Sequence, residues 1–308
     1  MNRQPIRIGT RASKLALAQA ETTRAAIARA LGDDAAAVLV RITTSGDRIQ
    51  DRRLADIGGK GLFTKEIEDA LLDGRIDAAI HSLKDMPAVS PDGLVIAAVP
   101  EREDPRDAFL SVSHARLADL PRGARLGTAS LRRQAQALHV RPDLEIVALR
   151  GNVDTRLAKL ERGEVDAILL ATAGLNRLGL GAAPRDWIDP VEAPPAPGQG
   201  ALAIQTREED AGAAWVFEMR HGPTVLAVAA ERGALEALEG SCRTAVGAYA
   251  RLEGARLRLT VEALTPDGAR RFRREGALAP GGGEADARAL GLTLGAAVRA
   301  EGGEALIE

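Results

Sequence analysis

Cys242 is the single cysteine among 308 residues, so an internal disulfide is excluded. Its remaining uses are packing, nucleophilic chemistry or covalent attachment of another group. A second chemical candidate is Asp85, in the string His81-Ser-Leu-Lys-Asp-Met-Pro87 that follows the apolar run Ile76–Ile80. A carboxylate beside a lysine at a strand's carboxyl end can move a proton or steady a developing cation. At about 4 Å and an effective dielectric near 20, one carboxylate stabilises a unit cation by about 4 kcal/mol. The same Asp85 also suits a structural cap paired with Lys84, and His81 suits a packed, hydrogen-bonded histidine.

Arginine is the third candidate. Only five of the 41 basic residues are lysine, which leaves 36 guanidinium groups suited to bidentate binding of carboxylate or phosphate. Two turns, Ile8-Gly-Thr-Arg-Ala-Ser13 and Leu126-Gly-Thr-Ala-Ser130, place hydroxyls and backbone N–H groups at helix starts, where anions are favoured. Arg11 lies in the first turn, and Arg132 and Arg133 follow the second. Arg150 ends an expected strand over 145–149, and Arg156 sits on the helix opening at Gly151. For any single arginine a solvated position is the simpler reading. Several at strand carboxyl ends, where open α/β sheets bind ligands, favour an anion site. Ile57-Gly-Gly-Lys-Gly-Leu-Phe63 resembles a phosphate loop only superficially, because the Gly-Lys-Ser/Thr ending is missing. With the charged stretch before it, this segment reads as a long lid-like loop.

The elements that must carry these residues alternate between strand and helix up to about residue 205. Apolar spacing predicts strands over 6–8, 38–42, 76–80 and 94–99, and helices from Ser13 to about Leu31 and over 64–72. The pattern then recurs. The Gly-Thr turn at 9–10 is echoed at 127–128, and Leu72-Asp-Gly-Arg-Ile-Asp-Ala is echoed by Glu161-Arg-Gly-Glu-Val-Asp-Ala. Paired elements in one order imply two α/β lobes of one architecture. The charged, proline-bearing stretch 100–107 and the Pro-rich stretch 193–200 read as two crossings between lobes, with a ligand cleft between them. Beyond about residue 223 the pattern changes: a helix over 224–238, the cysteine segment, and strands 246–252, 256–263 and 271–276. A Thr265-Pro-Asp-Gly268 turn joins two of these strands, and a helix from about 284 to 300 closes a small α+β domain.

Composition narrows the functional classes. A net charge of −2 gives no global field to attract nucleic acid. No apolar run reaches membrane length, and the amino terminus lacks an apolar leader segment. With one thiol, this points to a cytoplasmic protein. Four scattered histidines and one cysteine form no metal motif. No exposed apolar stripe calls for a stable dimer, so a monomer is expected.

Taken in order, the strings Ile8-Gly-Thr-Arg-Ala-Ser13, Gly58-Gly-Lys-Gly-Leu-Phe63, His81-Ser-Leu-Lys-Asp85, Glu101-Arg-Glu-Asp-Pro-Arg-Asp-Ala108, Gly127-Thr-Ala-Ser-Leu-Arg-Arg133, Leu149-Arg-Gly-Asn-Val153, Pro197-Gly-Gln-Gly200 and Gly240-Ser-Cys242 resemble the porphobilinogen deaminase (hydroxymethylbilane synthase) family nearly end to end. The resemblance implies a transferase of tetrapyrrole (haem) biosynthesis that joins four porphobilinogen molecules head to tail on a dipyrromethane primer. It implies a thioether from that primer to Cys242, and a catalytic role for Asp85 in stabilising the azafulvenium cation. Arg11, Arg132, Arg133, Arg150, Arg156 and Arg177 match positions that bind acetate and propionate groups, helped by Ser13, Thr128, Ser130, Lys60 and Lys84. Ser82 and Gln199 are further contacts, and Phe63 would pack on a pyrrole ring.

The fold expected is α/β, with two similar periplasmic-binding-protein-like lobes around a cleft and a small C-terminal α+β domain. The boundaries expected are 1–100 with 200–218, 105–194, and 222–308. Ser241, Ala245 and Ala129 depart from the family's usual residues, which bears on binding detail rather than on the acid or the thiol. Two other functions fit parts of the pattern: a non-catalytic two-lobed binding protein for an anionic solute, and a phosphate-dependent transferase using the Gly58–Gly61 loop.

Overall fold

The computed structural model describes residues 4–48, 64–238 and 244–306. The described residues divide into two compact units: 4–48 with 64–103 and 200–225, and 104–199 with 226–238 and 244–306.

The first unit is built on a five-stranded sheet of β1 (Ile6–Thr10), β2 (Ala37–Arg41), β3 (Ala78–Ser82), β4 (Leu94–Ala98) and β10 (Leu202–Arg207), in the order β2-β1-β3-β10-β4. β1 runs parallel to β2 and β3, whereas β10 is antiparallel to β3 and β4. The helix Lys14–Leu31 packs its buried Ala20 and Ile27 with Ile8, Ile80 and Ile204 of this sheet. It starts at Ser13, whose hydroxyl accepts from the Ala16 N–H, and stops at Gly32, where φ of 66° ends the helix in the left-handed region. The sequence pattern ends the third strand at Ile80. It continues to Ser82, because His81 and Ser82 pair with Ala203 and Leu202.

The second unit repeats this frame. β5 (Asp107–Leu110), β6 (Arg125–Gly127), β7 (Glu145–Val147), β8 (Ala167–Ala171) and β9 (Asp186–Trp187) form a sheet in the order β7-β6-β8-β5-β9. Here too a central strand, β6, is parallel to both neighbours, while β5 is antiparallel to β8 and β9. Asp107, placed by the sequence pattern in a crossing, is thus the first residue of a strand. The unit also contains an antiparallel meander of β11 (Ala245–Glu253), β12 (Arg256–Leu264) and β13 (Arg271–Leu278), backed by the helix Glu284–Gly302. Its β12–β13 turn closes on a 2.8 Å hydrogen bond from Gly268 N–H to the Thr265 carbonyl, with Gly268 at φ 71°. Ala135 on the helix Leu131–Val140 packs against Ala245 and Leu264 and so joins the meander to the α/β part of this unit.

Candidate functional site

In the first unit, Asp85 ends a single 3₁₀ turn, Leu83–Asp85, at the carboxyl end of β3. Leu83 and Met86 on either side are almost fully buried, whereas Asp85 is exposed. Two apolar anchors therefore fix the backbone while the carboxylate faces outward. Ser82 accepts a 2.9 Å hydrogen bond from Gln19 of the first helix. Ser13 caps that helix through a lone pair, which leaves its own O–H free to donate to an anion. Arg11 is half-buried in the turn before it.

His81 is not a reacting group here. Its Nε2 lies 3.1 Å from Gln205 Oε1, and Gln205 Nε2 donates to Glu68. The glutamine oxygen therefore accepts, and Nε2 carries the proton. Burial pushes its pKa down to about 4, with the nearby Arg11 charge adding to the effect, so the ring is neutral. The reading of His81 as a packed, hydrogen-bonded histidine is the one that holds.

In the second unit, Ser130 caps the helix Leu131–Val140 and Thr128 Oγ1 accepts from the Ser130 N–H at 3.1 Å. Ala129, the departure in this turn, is exposed. Arg132 and Arg133 occupy the first turn of that helix, where positive charge opposes the helix dipole and no acidic residue accompanies them. Both are nonetheless buried, because their guanidinium groups converge on Asp107. Arg132 Nη1 donates to Oδ2 at 2.7 Å; Arg133 donates through Nη2 at 2.7 Å and Nε at 3.0 Å to Oδ1. Burial penalises the carboxylate, but the two cations outweigh it and hold Asp107 well below the usual carboxylate range.

Gln199, fully buried, donates to the Pro105 carbonyl at 2.8 Å and to Asp107 Oδ1 at 2.9 Å, so it supports the acid behind the arginines. One carboxylate against two guanidinium groups leaves this cluster with a net positive charge. Arg132 Nε is buried and makes no hydrogen bond among the described residues. Arg150 is half-buried and has no hydrogen bond or ion pair among them either. Arg156 donates to the Gly151 carbonyl at 2.8 Å, on a helix capped by Asn152. Arg177 ends the short helix Thr172–Arg177.

The structure thus brings Arg132, Arg133 and Gln199 into one cluster in the second unit, and places Arg11, Ser13, Ser82, Lys84 and Asp85 around the carboxyl ends of β1 and β3 in the first. Lys60, Phe63, Ser241 and Cys242 lie outside the described residues. Asp107 was missed as a site residue. Its position in a charged, proline-bearing stretch concealed it, and nothing in the sequence signals that the two arginines at the helix start are buried against a counter-charge.

Residues 6–214 match the family described as porphobilinogen deaminase, dipyromethane cofactor binding domain, and residues 225–300 match the porphobilinogen deaminase C-terminal domain. A porphobilinogen deaminase of Caulobacter vibrioides (strain NA1000 / CB15N) is 70% identical, over 100% of this chain and 99% of its own length. The protein of that name from Phenylobacterium zucineum is 63% identical, with full coverage of both chains. A solved periplasmic substrate-binding protein of an ABC transporter from Coxiella burnetii aligns with 74% of this chain and 96% of its own at 17% identity, with a TM-score of 0.43.

Proposed function

The chain belongs to the porphobilinogen deaminase family, and on that premise we propose that it joins four porphobilinogen molecules head to tail, releases ammonia at each condensation, and frees hydroxymethylbilane with water. The observation that carries the binding half of this reading is the buried Asp107–Arg132–Arg133 cluster. It has excess positive charge and an Nε donor with no acceptor among the described residues. Such a cluster is completed by an anion from outside the protein, and a carboxylate matches the guanidinium fork.

The residues present fit a dipyrromethane, whose acetate and propionate groups are such anions. Cys242 would hold it through a thioether, and Arg132, Arg133, Arg150 and Arg156 with Thr128 and Ser130 would bind its carboxylates and those of each porphobilinogen added. When bound, the group supplies the pyrrole carbon to which each substrate unit is joined. In the first unit, Arg11, Ser13 and Lys84 bind substrate carboxylates. Asp85 accepts from the pyrrole N–H and stabilises the cation left on porphobilinogen as ammonia departs. Lys60 and Phe63 are assigned a carboxylate contact and a ring contact by the family resemblance. Arg177 and Ser82 complete the binding set, and Gln199 acts through Asp107. The enzyme works as a cytoplasmic monomer.

Incubating the purified protein with porphobilinogen tests this directly. Consumption of substrate with stoichiometric ammonia is expected. Saturable binding without consumption would instead establish the non-catalytic solute-binding alternative.

A further inference from the structure

Asp107 holds Arg132 from one side only. On the other, Arg132 Nη1 donates to Gln136 Oε1 at 2.8 Å, one helical turn further on. Gln136 Nε2 donates in turn to Glu262 Oε1 at 2.7 Å and to the Pro194 carbonyl at 2.8 Å. With two acceptors before its nitrogen and a guanidinium before its oxygen, the Gln136 amide has one chemically consistent orientation.

Glu262 is fully buried in β12, and its Oε2 makes no hydrogen bond among the described residues. The Arg273 guanidinium is 4.0 Å away. Glu262 stands opposite Gly247 of β11. A methyl group on Gly247 would lie 2.5 Å from the Pro194 carbonyl oxygen, so the meander seats on this carbonyl only because no side chain intervenes. Ala248 N–H then donates to the Pro195 carbonyl at 3.0 Å.

A buried carboxylate with one oxygen lacking a hydrogen bond is costly, and a leucine would fill the same space without that cost. What a leucine could not do is orient Gln136. We propose that Gln136 is a positioning residue for Arg132, keyed by Glu262 to the sheet whose first strand follows Cys242 in the chain. The strand leading from the tether and the arginine that receives the carboxylate are then held in fixed register. The inference rests on the reading of Arg132 as a carboxylate-binding residue.

A double-mutant cycle on the full-length enzyme separates the two claims. Gln136→Leu is expected to raise KM for porphobilinogen about tenfold with kcat changed by less than about twofold. Arg132→Leu lowers kcat/KM about a hundredfold, and the double variant is no worse than Arg132→Leu within about twofold. An unchanged KM in Gln136→Leu, or a factor that multiplies in full onto Arg132→Leu, overturns the positioning role. Unchanged kinetics in Arg132→Leu itself would remove the carboxylate reading instead.

Should Gln136→Leu fail to fold, the pair Glu262→Leu and Glu262→Gln gives the same test. Glu262→Gln keeps an acceptor for Gln136 and is expected to restore KM to within about threefold of wild type. Glu262→Leu raises it as Gln136→Leu does. Equal KM values in the two variants contradict the proposal.

Discussion

The two lobes share a frame and differ in what they bury. In each, a central strand runs out at a Gly-Thr pair and is followed by a serine-capped helix, at Gly9, Thr10 and Ser13 in one and Gly127, Thr128 and Ser130 in the other. Each central strand carries at or next to its first residue an arginine whose backbone N–H and guanidinium both engage one aspartate: Arg7 with Asp77, and Arg125 with Asp166. The antiparallel strand carries the contrast. In the first lobe it presents Gln205, which joins His81 and Glu68 in a hydrogen-bonded network. In the second it presents Asp107 to two buried cations. Beyond the third strand, the first lobe continues as Ser82-Leu-Lys-Asp85, where the second has Ala171-Thr-Ala-Gly174. A repeated scaffold therefore leaves function to the few positions where the copies diverge. On the proposed function the first lobe supplies the acid that meets a cation, whereas the buried arginine pair that meets carboxylates belongs to the second.

Substitutions at those positions break the comparison in order of size. Asp85→Asn is expected to lower turnover by at least about a thousandfold. The primer stays attached by intact mass, and Tm is preserved because the side chain is exposed. Near-normal turnover would assign the acid role elsewhere.

Asp107→Asn leaves two buried guanidinium groups with neutral acceptors only and no counter-charge from this strand, so denaturant unfolding should show a loss of about 3–5 kcal/mol. The isosteric change Gln205→Glu in the first lobe removes the amide that donates to Glu68 and sets two buried carboxylates together, so it should destabilise by a comparable amount.

The lobes also part in pH. An unfolded His81 takes up a proton near pH 6.5, the folded one only near 4. Stability is therefore full above that window and falls as pH drops through it, by about 2–3 kcal/mol. His81→Gln should flatten the slope between pH 6.5 and 4 in unfolding titrations, and an unchanged slope would contradict the buried neutral ring. The Asp107 contribution, with its pKa depressed, is present above the ordinary carboxylate pKa and lost only in stronger acid.

The smallest effects come from the shared frame. Asp77→Asn and Asp166→Asn break half-exposed pairs of the same design. Each should cost no more than about 1 kcal/mol, with matching shifts in unfolding midpoint.

Much of this frame is legible in the sequence. The repeated Gly-Thr pairs at strand ends, the serine caps and the Thr265–Gly268 turn are local, and they follow from residue type and spacing. The insertion of β5 and β10 as antiparallel strands was not legible, because β10 pairs with β3 more than a hundred residues away and only the partner's register reveals it. Candidate site residues were named in the same way, by type and spacing. Their burial was not found, since first-turn arginines read as solvated until Asp107, Gln199 and Pro194 close around them. Gln136 and Glu262 meet across 126 positions of chain and carry no motif at all.

The tethered primer is the claim on which the division of labour depends, and intact-protein mass measures it without assumptions about geometry. The purified protein should exceed its sequence mass by one dipyrromethane, and Cys242→Ser should remove that excess together with activity. A wild-type enzyme that turns over porphobilinogen at its unmodified mass would contradict the account.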